Sequence, residues 1–152
     1  MSDDHFKIIA RNKKAYFNYF IEKDYEAGIV LQGTEVKSLR GGRANLKDSY
    51  AKIINGEVFI YQMNISPYPF AFYDNHEPRR RRKLLLHKAE IKKLYGKVNE
   101  KGYALVPLSI YFKRGKVKLK IALARGKRSP DKRQTIRQRD EKRDMDRAMK
   151  NY

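Results

Sequence analysis

Tyr50-Ala51-Lys52-Ile53-Ile54-Asn55-Gly56-Glu57-Val58-Phe59-Ile60-Tyr61 decides the fold class. Two short runs rich in β-branched and aromatic residues flank an Asn-Gly pair. Both of those residues tolerate positive φ, as a type I′ turn requires, so the stretch predicts a tight β-hairpin. A second hairpin is predicted for Tyr103 to Phe112 and Val117 to Ala124, around Arg114-Gly115. In its second strand Val117, Leu119, Ile121 and Leu123 share one face. Lys118 and Lys120 share the other, because side chains alternate along a strand.

Working outward, Tyr16 to Tyr25 reads as a strand, with Gly28-Ile29-Val30-Leu31 as a second segment and Arg79 to Leu86 as a basic strand. Residues 1–8 read as a flexible lead, and Arg11 to Ala15 as one helical turn. A short helix is predicted over 35–40, with Thr34 as N-cap, Glu35 in the first turn and Gly41-Gly42 as the stop. Lys88 to Tyr95 has helical spacing, with Ile91, Leu94 and Val98 on one side and Gly96 and Gly102 marking its end. Asn64 to Pro78 carries Pro67, Pro69 and Pro78 and reads as an irregular loop with aromatic tips. Five or six antiparallel strands with a helix between hairpins predict a mainly β fold, a small closed barrel of the OB type with short peripheral helices. The barrel is predicted to span 1–126. A tail at 127–152 holds ten basic and five acidic residues, a net of +5. Its few apolar residues cannot form a core, so it is expected to be disordered when free.

The 152 residues carry a net charge of +19, which favours RNA, DNA or an anionic membrane as partner. No run approaches the roughly 20 apolar residues of a spanning helix. Met1-Ser2-Asp3-Asp4-His5 is acidic and lacks a signal-peptide core, so a cytoplasmic location without membrane contact is expected. The absence of cysteine excludes disulfides, thiolate metal sites and a Cys nucleophile. Without Trp, base stacking falls to 11 Tyr, 7 Phe, 3 His or the Arg planes. No Gly-rich phosphate loop is present. His5, His76 and His87 lack metal-ligand spacing, and Pro130-Asp131-Lys132 lacks the partner carboxylate and lysine of a nuclease motif. No catalytic residue, metal or cofactor is expected.

Arg79-Arg80-Arg81-Arg82-Lys83 runs directly into Leu84-Leu85-Leu86-His87-Lys88, so these charges are expected on a folded surface. Lys113 to Arg128 contains eight basic residues and no acid. Its outward lysines would stand about 7 Å apart, near the phosphate repeat of one nucleic-acid strand. A solvated barrel face has the same pattern. Recurrence at Arg11–Lys14, Arg79–Lys83 and the tail favours RNA or DNA contact. In the tail, Arg139, Arg143, Arg147 and Lys150 recur at helical spacing, which suggests a helix formed only against phosphates. Glu26 is an acid in a basic surface, either paired with a nearby Lys or accepting from base amino groups. Leu85 reads most simply as core. His87 either caps the following helix or stacks on a base.

Several stretches together resemble the small protein B family, the tmRNA-binding (SsrA-binding) proteins of bacterial trans-translation. They are Asn12-Lys13-Lys14-Ala15, Tyr25-Glu26-Ala27-Gly28-Ile29, Gly33 to Arg40, Asn45 to Tyr50, Arg82 to Lys88, Leu123 to Lys127 and Asp131-Lys132-Arg133. The resemblance covers essentially the whole chain, in order. It implies an OB-type barrel that is not an enzyme, binds the tRNA-like domain of tmRNA near its elbow and supports charging with alanine. It implies travel with elongation factor Tu and entry into the A site of stalled ribosomes, with a tail that becomes helical in the empty mRNA channel. Elongation factor Tu and alanyl-tRNA synthetase would be met through tmRNA. The resemblance assigns Glu26, Leu85 and His87 to the tRNA-like domain, with Asn12, Lys13, Arg82 and Lys83 from the matching motifs. It places Lys132, Arg133 and Ile136 at the decoding centre and Met149 at an apolar position near the end; Lys127 and the evenly spaced Arg139, Arg143 and Arg147 are expected to join them along the decoding centre and mRNA channel. Pro130 and Phe17 stand where some members have His.

Overall fold

The computed structural model describes residues 6–127. The expected tail contacts Lys132, Arg133, Ile136, Arg139, Arg143, Arg147 and Met149 lie outside the described residues. Strands β1 (Phe6–Arg11), β2 (Tyr19–Ile29), β3 (Ala44–Asn45), β4 (Tyr50–Ile54), β5 (Glu57–Tyr61), β6 (Asn64–Ile65), β7 (Arg82–Leu85), β8 (Tyr103–Lys113) and β9 (Lys116–Gly126) alternate with three helices. These are α1 (Lys13–Asn18), α2 (Gly33–Arg40) and α3 (Lys88–Val98). All the pairings are antiparallel. The order β8-β4-β5-β7-β2-β9 closes on itself because β9 also pairs β8, and β1 extends the far half of β8. This ring is the expected closed barrel.

Both hairpins form as read. Asn55 and Gly56 have φ of 51° and 76°, and Arg114 and Gly115 have 52° and 77°. The barrel is filled by Ala27, Val58, Ile60, Leu84, Leu105, Ile110, Leu119 and Ile121, each 5% exposed or less. A smaller cluster lies outside it, where Ala15 of α1 packs on Val106, Leu108, Ala122 and Ala124. Asn12 fixes that helix: its N–H donates to Leu108 O at 2.8 Å and its Nδ2 to Pro107 O at 2.9 Å.

Several sequence expectations are corrected. Residues 6–8 belong to β1, paired with Tyr111–Lys113, and are not a lead. Tyr16 to Asn18 is helical, because α1 must turn Ala15 onto the barrel wall. Gly96 lies inside α3, which continues to Val98 with Asn99 as C-cap. Helix α2 is capped by Gln32 and not Thr34: the Gln32 N–H donates to Glu35 Oε1 at 2.8 Å. Strand β2 is also one element, running on to Ile29.

Candidate nucleic-acid interface

Directly paired residues of an antiparallel ladder project to the same face. The register therefore lays out the outer wall of β1, β8, β9, β2 and β7. One row is Arg11, Ser109, Lys120 and Glu26; the next is Ile8, Tyr111, Lys118, Gly28 and Leu85. A third holds Phe6, Lys113 and Lys116. Five cations thus share a face with one carboxylate. The alternation of Lys116, Lys118 and Lys120 with Val117, Leu119 and Ile121 is as read from the sequence.

Glu26 is the centre of a small network. Its carboxylate accepts from Tyr111 Oη at 2.6 Å and from Lys113 Nζ at 3.3 Å. The Tyr111 hydrogen bond, then the Lys113 and Lys118 charges, hold the Glu26 carboxyl below the usual carboxylate range despite some burial. Burial, then the bond to Glu26, pushes the Tyr111 hydroxyl well above the usual phenol. Tyr111 stays protonated and donating, and Glu26 stays charged and accepting. Removing that donor by Tyr111→Phe is expected to move the Glu26 titration upward in a carboxyl NMR titration. An unmoved Glu26 would show that the network does not set its charge.

Glu26, Leu85 and His87 line one open cleft of about 390 Å³, together with Gly28, Leu86, Glu90 and Lys118. Leu85 is 51% exposed, so its reading as core fails. Gly28 lies directly opposite, and a Cβ there would come within 3.3 Å of the Leu85 Cβ. The glycine leaves the leucine room on the outside of the wall. His87 is exposed at the N-cap of α3, where its N–H donates to Glu90 Oε1 at 3.1 Å. The capping position is occupied, and the ring still faces the cleft. Lys83 shares the outer face of β7 with Leu85 and meets Glu57 at 3.3 Å.

Arg82 departs from expectation. It is 0% exposed and points into the protein, onto the Glu35 carboxylate. Its Nη1 donates to Met63 O at 2.7 Å and its Nη2 to Pro78 O at 3.0 Å. Arg80 joins the same carboxylate, with Nη2 to Oε1 at 2.5 Å. Burial alone would raise the Glu35 carboxyl. Hydrogen bonds from Arg80 and the Gln32 backbone, and the Arg82 charge, outweigh it and hold the group below its ordinary value. The five-residue basic run is therefore divided. Arg80 and Arg82 turn to Glu35, while Arg79, Arg81 and Lys83 face outward, Arg81 stacking on Phe59 at 4.2 Å. The parity of β7 carried this signal: with Leu84 in the core, Arg82 shares its side. Asn12 is likewise engaged by β8. Lys13 is exposed on α1, and neither it nor Asn12 lines the Glu26 cleft. Lys127 lies against α1, its N–H donating to Asn18 O at 2.9 Å and its Nζ to Tyr16 O at 3.1 Å.

Sequence reasoning missed Ser109 and Gly28, the small residues in the middle of this wall, and Tyr111, whose hydroxyl donates to Glu26. Their signal lies in the register, which a single strand does not show. Among the described residues no cluster of His, Asp and Glu could hold a metal ion, and no helix is long and apolar enough to cross a membrane.

A closed β-barrel with a cationic outer wall and one carboxylate held ionised on it defines a nucleic-acid-binding protein of the OB type. The family model of the SmpB protein matches residues 9–151. The chain belongs to the SmpB family. It is 57% identical over 150 residues to the SsrA-binding protein of Halothermothrix orenii, covering 99% of this chain and 97% of that one. It is 59% identical over 144 residues to the SsrA-binding protein of Syntrophobacter fumaroxidans, covering 95% and 89%. A solved structure described as "tmRNA-SmpB: a journey to the center of the bacterial ribosome" is similar at a TM-score of 0.68 and 48% identity. The match covers 84% of this chain and 94% of that one.

Proposed function

We propose that this chain is a tmRNA-binding adaptor of trans-translation, acting in the cytoplasm without turnover. The observation that carries the reading is the convergence of Glu26, Leu85 and His87 on one cleft beside the lysine wall. Family membership gives the RNA its name. The lysines supply the sequence-independent attraction to phosphates. Glu26 supplies an acceptor for exocyclic or ring N–H groups of a base, kept ionised by Tyr111 and Lys113. Leu85 and His87 offer apolar and stacking contact to unpaired bases. Lys83 and Lys13 add cations at the margins, whereas Asn12 and Arg82 act from within by holding α1 and β7 in place.

In this reading the barrel of 1–126 seats the tRNA-like domain, supports its alanylation by alanyl-tRNA synthetase and rides with it and elongation factor Tu to stalled ribosomes. The tail of 127–152 enters the empty mRNA channel. Leu85→Ser tests the cleft. The side chain is half exposed, so folding should be unchanged and binding of the tRNA-like domain weakened about fivefold to tenfold. The slope against salt should stay the same, because no charge is lost. Unchanged affinity would remove the cleft from the interface.

A further inference from the structure

The loop between β6 and β7 carries Phe70, Phe72 and Tyr73 at 73%, 87% and 87% exposure. Three large aromatics at a loop tip leave apolar surface in water, which an ordered loop tolerates when the tip has a partner. This loop is ordered by its own bonds. Asn75 Oδ1 accepts the Tyr68 N–H at 3.2 Å, and its Nδ2 donates to Tyr68 O at 2.9 Å and Ala71 O at 3.3 Å. His76 is 4% exposed and staples the base of the loop, with Nε2 on Ile65 O at 2.8 Å and Nδ1 on Thr34 Oγ1 at 2.9 Å. A carbonyl can only accept, so Nε2 carries a proton toward Ile65 O, and Nδ1 shares a hydrogen bond with the Thr34 hydroxyl. Arg82 holds the other stem through Glu77 O and Pro78 O. The buried Glu35 centre thus anchors the loop to the barrel.

The surroundings choose the occupant. Lys37 lies over the Tyr68 ring at 5.5 Å, and Tyr68 meets Phe70 edge-on at 5.5 Å. Exposed Arg79 and Arg81 follow the loop, in a chain of net charge +19. Aromatic faces next to cations are a stacking platform for bases whose phosphates the cations neutralise. The loop enters β7 at Arg82, the end away from Leu85, and none of its residues lines the cleft. The three residue steps between them span about 10 Å before the loop itself extends.

We propose that the Phe70–Tyr73 tip is a second RNA contact, a stacking platform for unpaired bases of ribosomal RNA. It rests on the adaptor reading for the presence of a ribosome, and adds a contact made by the barrel side of the molecule.

The test uses the full chain with purified ribosomes and, separately, the tRNA-like RNA. Phe72→Ser with Tyr73→Ser is expected to weaken ribosome binding roughly fivefold to a hundredfold, the range for losing one stacked base. Binding of the tRNA-like RNA and the melting temperature should be unchanged. Phe72→Trp should keep ribosome binding and show quenched fluorescence when bound. Phe72→Leu with Tyr73→Leu should behave like the serine pair. Rescue by leucine would overturn the proposal in favour of an apolar protein surface. Loss of tRNA-like RNA binding would overturn it in favour of that RNA, and unchanged ribosome binding would overturn it outright. Failure of the wild-type chain to bind the tRNA-like RNA would instead count against the adaptor reading.

Discussion

Glu35→Ala is expected to destabilise the barrel by roughly 3–5 kcal/mol, the cost of leaving a buried charge without its partner. Arg82 is 0% exposed and would face Arg80 with no anion between them. For a chain of this size the melting temperature should fall by roughly 10 °C or more. Thermal unfolding by circular dichroism measures it. Glu35→Leu combined with Arg82→Met should recover much of the loss, because an apolar pair of similar volume often replaces a buried ion pair without penalty. Equal destabilisation in the single and double variants would show that the charges are not the cause. Acid should act on the same group. The folded Glu35 carboxyl titrates below its ordinary value. Its stabilisation is therefore complete above about pH 4.3, the unfolded value, and is lost as pH falls through the lower, folded value. The sharp loss of stability on acidification should be muted in the Leu-Met variant.

Lys118→Glu with Lys120→Glu is expected to have the largest effect on RNA binding, a loss of about a hundredfold near physiological salt. Both lysines stand on the wall beside Glu26, in the rows that lead to Leu85 and to Arg11. Each lysine that meets a phosphate contributes about one unit to the slope of log affinity against log salt. The alanine pair should therefore lower that slope by about two, and the glutamate pair should add repulsion. Folding should be preserved, because the opposite faces of β9 supply the core through Leu119 and Ile121. A full loss of affinity with an unchanged slope would mean that the lysines shape the wall without touching phosphates.

Much of this arrangement was legible in the sequence, and the unread parts share a cause. The two hairpins were readable because their turns need local chemistry, Asn-Gly and Arg-Gly at positive φ. Leu119 and Lys118 fell on opposite faces by simple alternation. The paired surface was harder. Glu26, Leu85 and His87 come together only when β2 pairs β7 at Gly28 and Leu85, a register set by barrel closure. Strand β1 exists because the outer half of β8 offers it a ladder, which nothing within Phe6–Arg11 announces. Helix α1 overrode an aromatic alternation that read as strand, since tertiary burial of Ala15 outweighs local propensity. Arg82 was placed with its charged neighbours, although Leu84 two residues on already fixed its side of the strand. Its destination, a carboxylate at the start of α2, lies 47 residues away.

Selectivity for a folded RNA should reside in the barrel wall. A salt-titrated binding assay tests it most directly, comparing the tRNA-like domain of tmRNA with an ordinary tRNA and with duplex RNA of equal length. The tRNA-like domain is expected to bind clearly tighter at physiological salt, with a preference that survives as salt rises. Three RNAs that bind alike and weaken together would contradict it, leaving only the attraction between a +19 chain and phosphate.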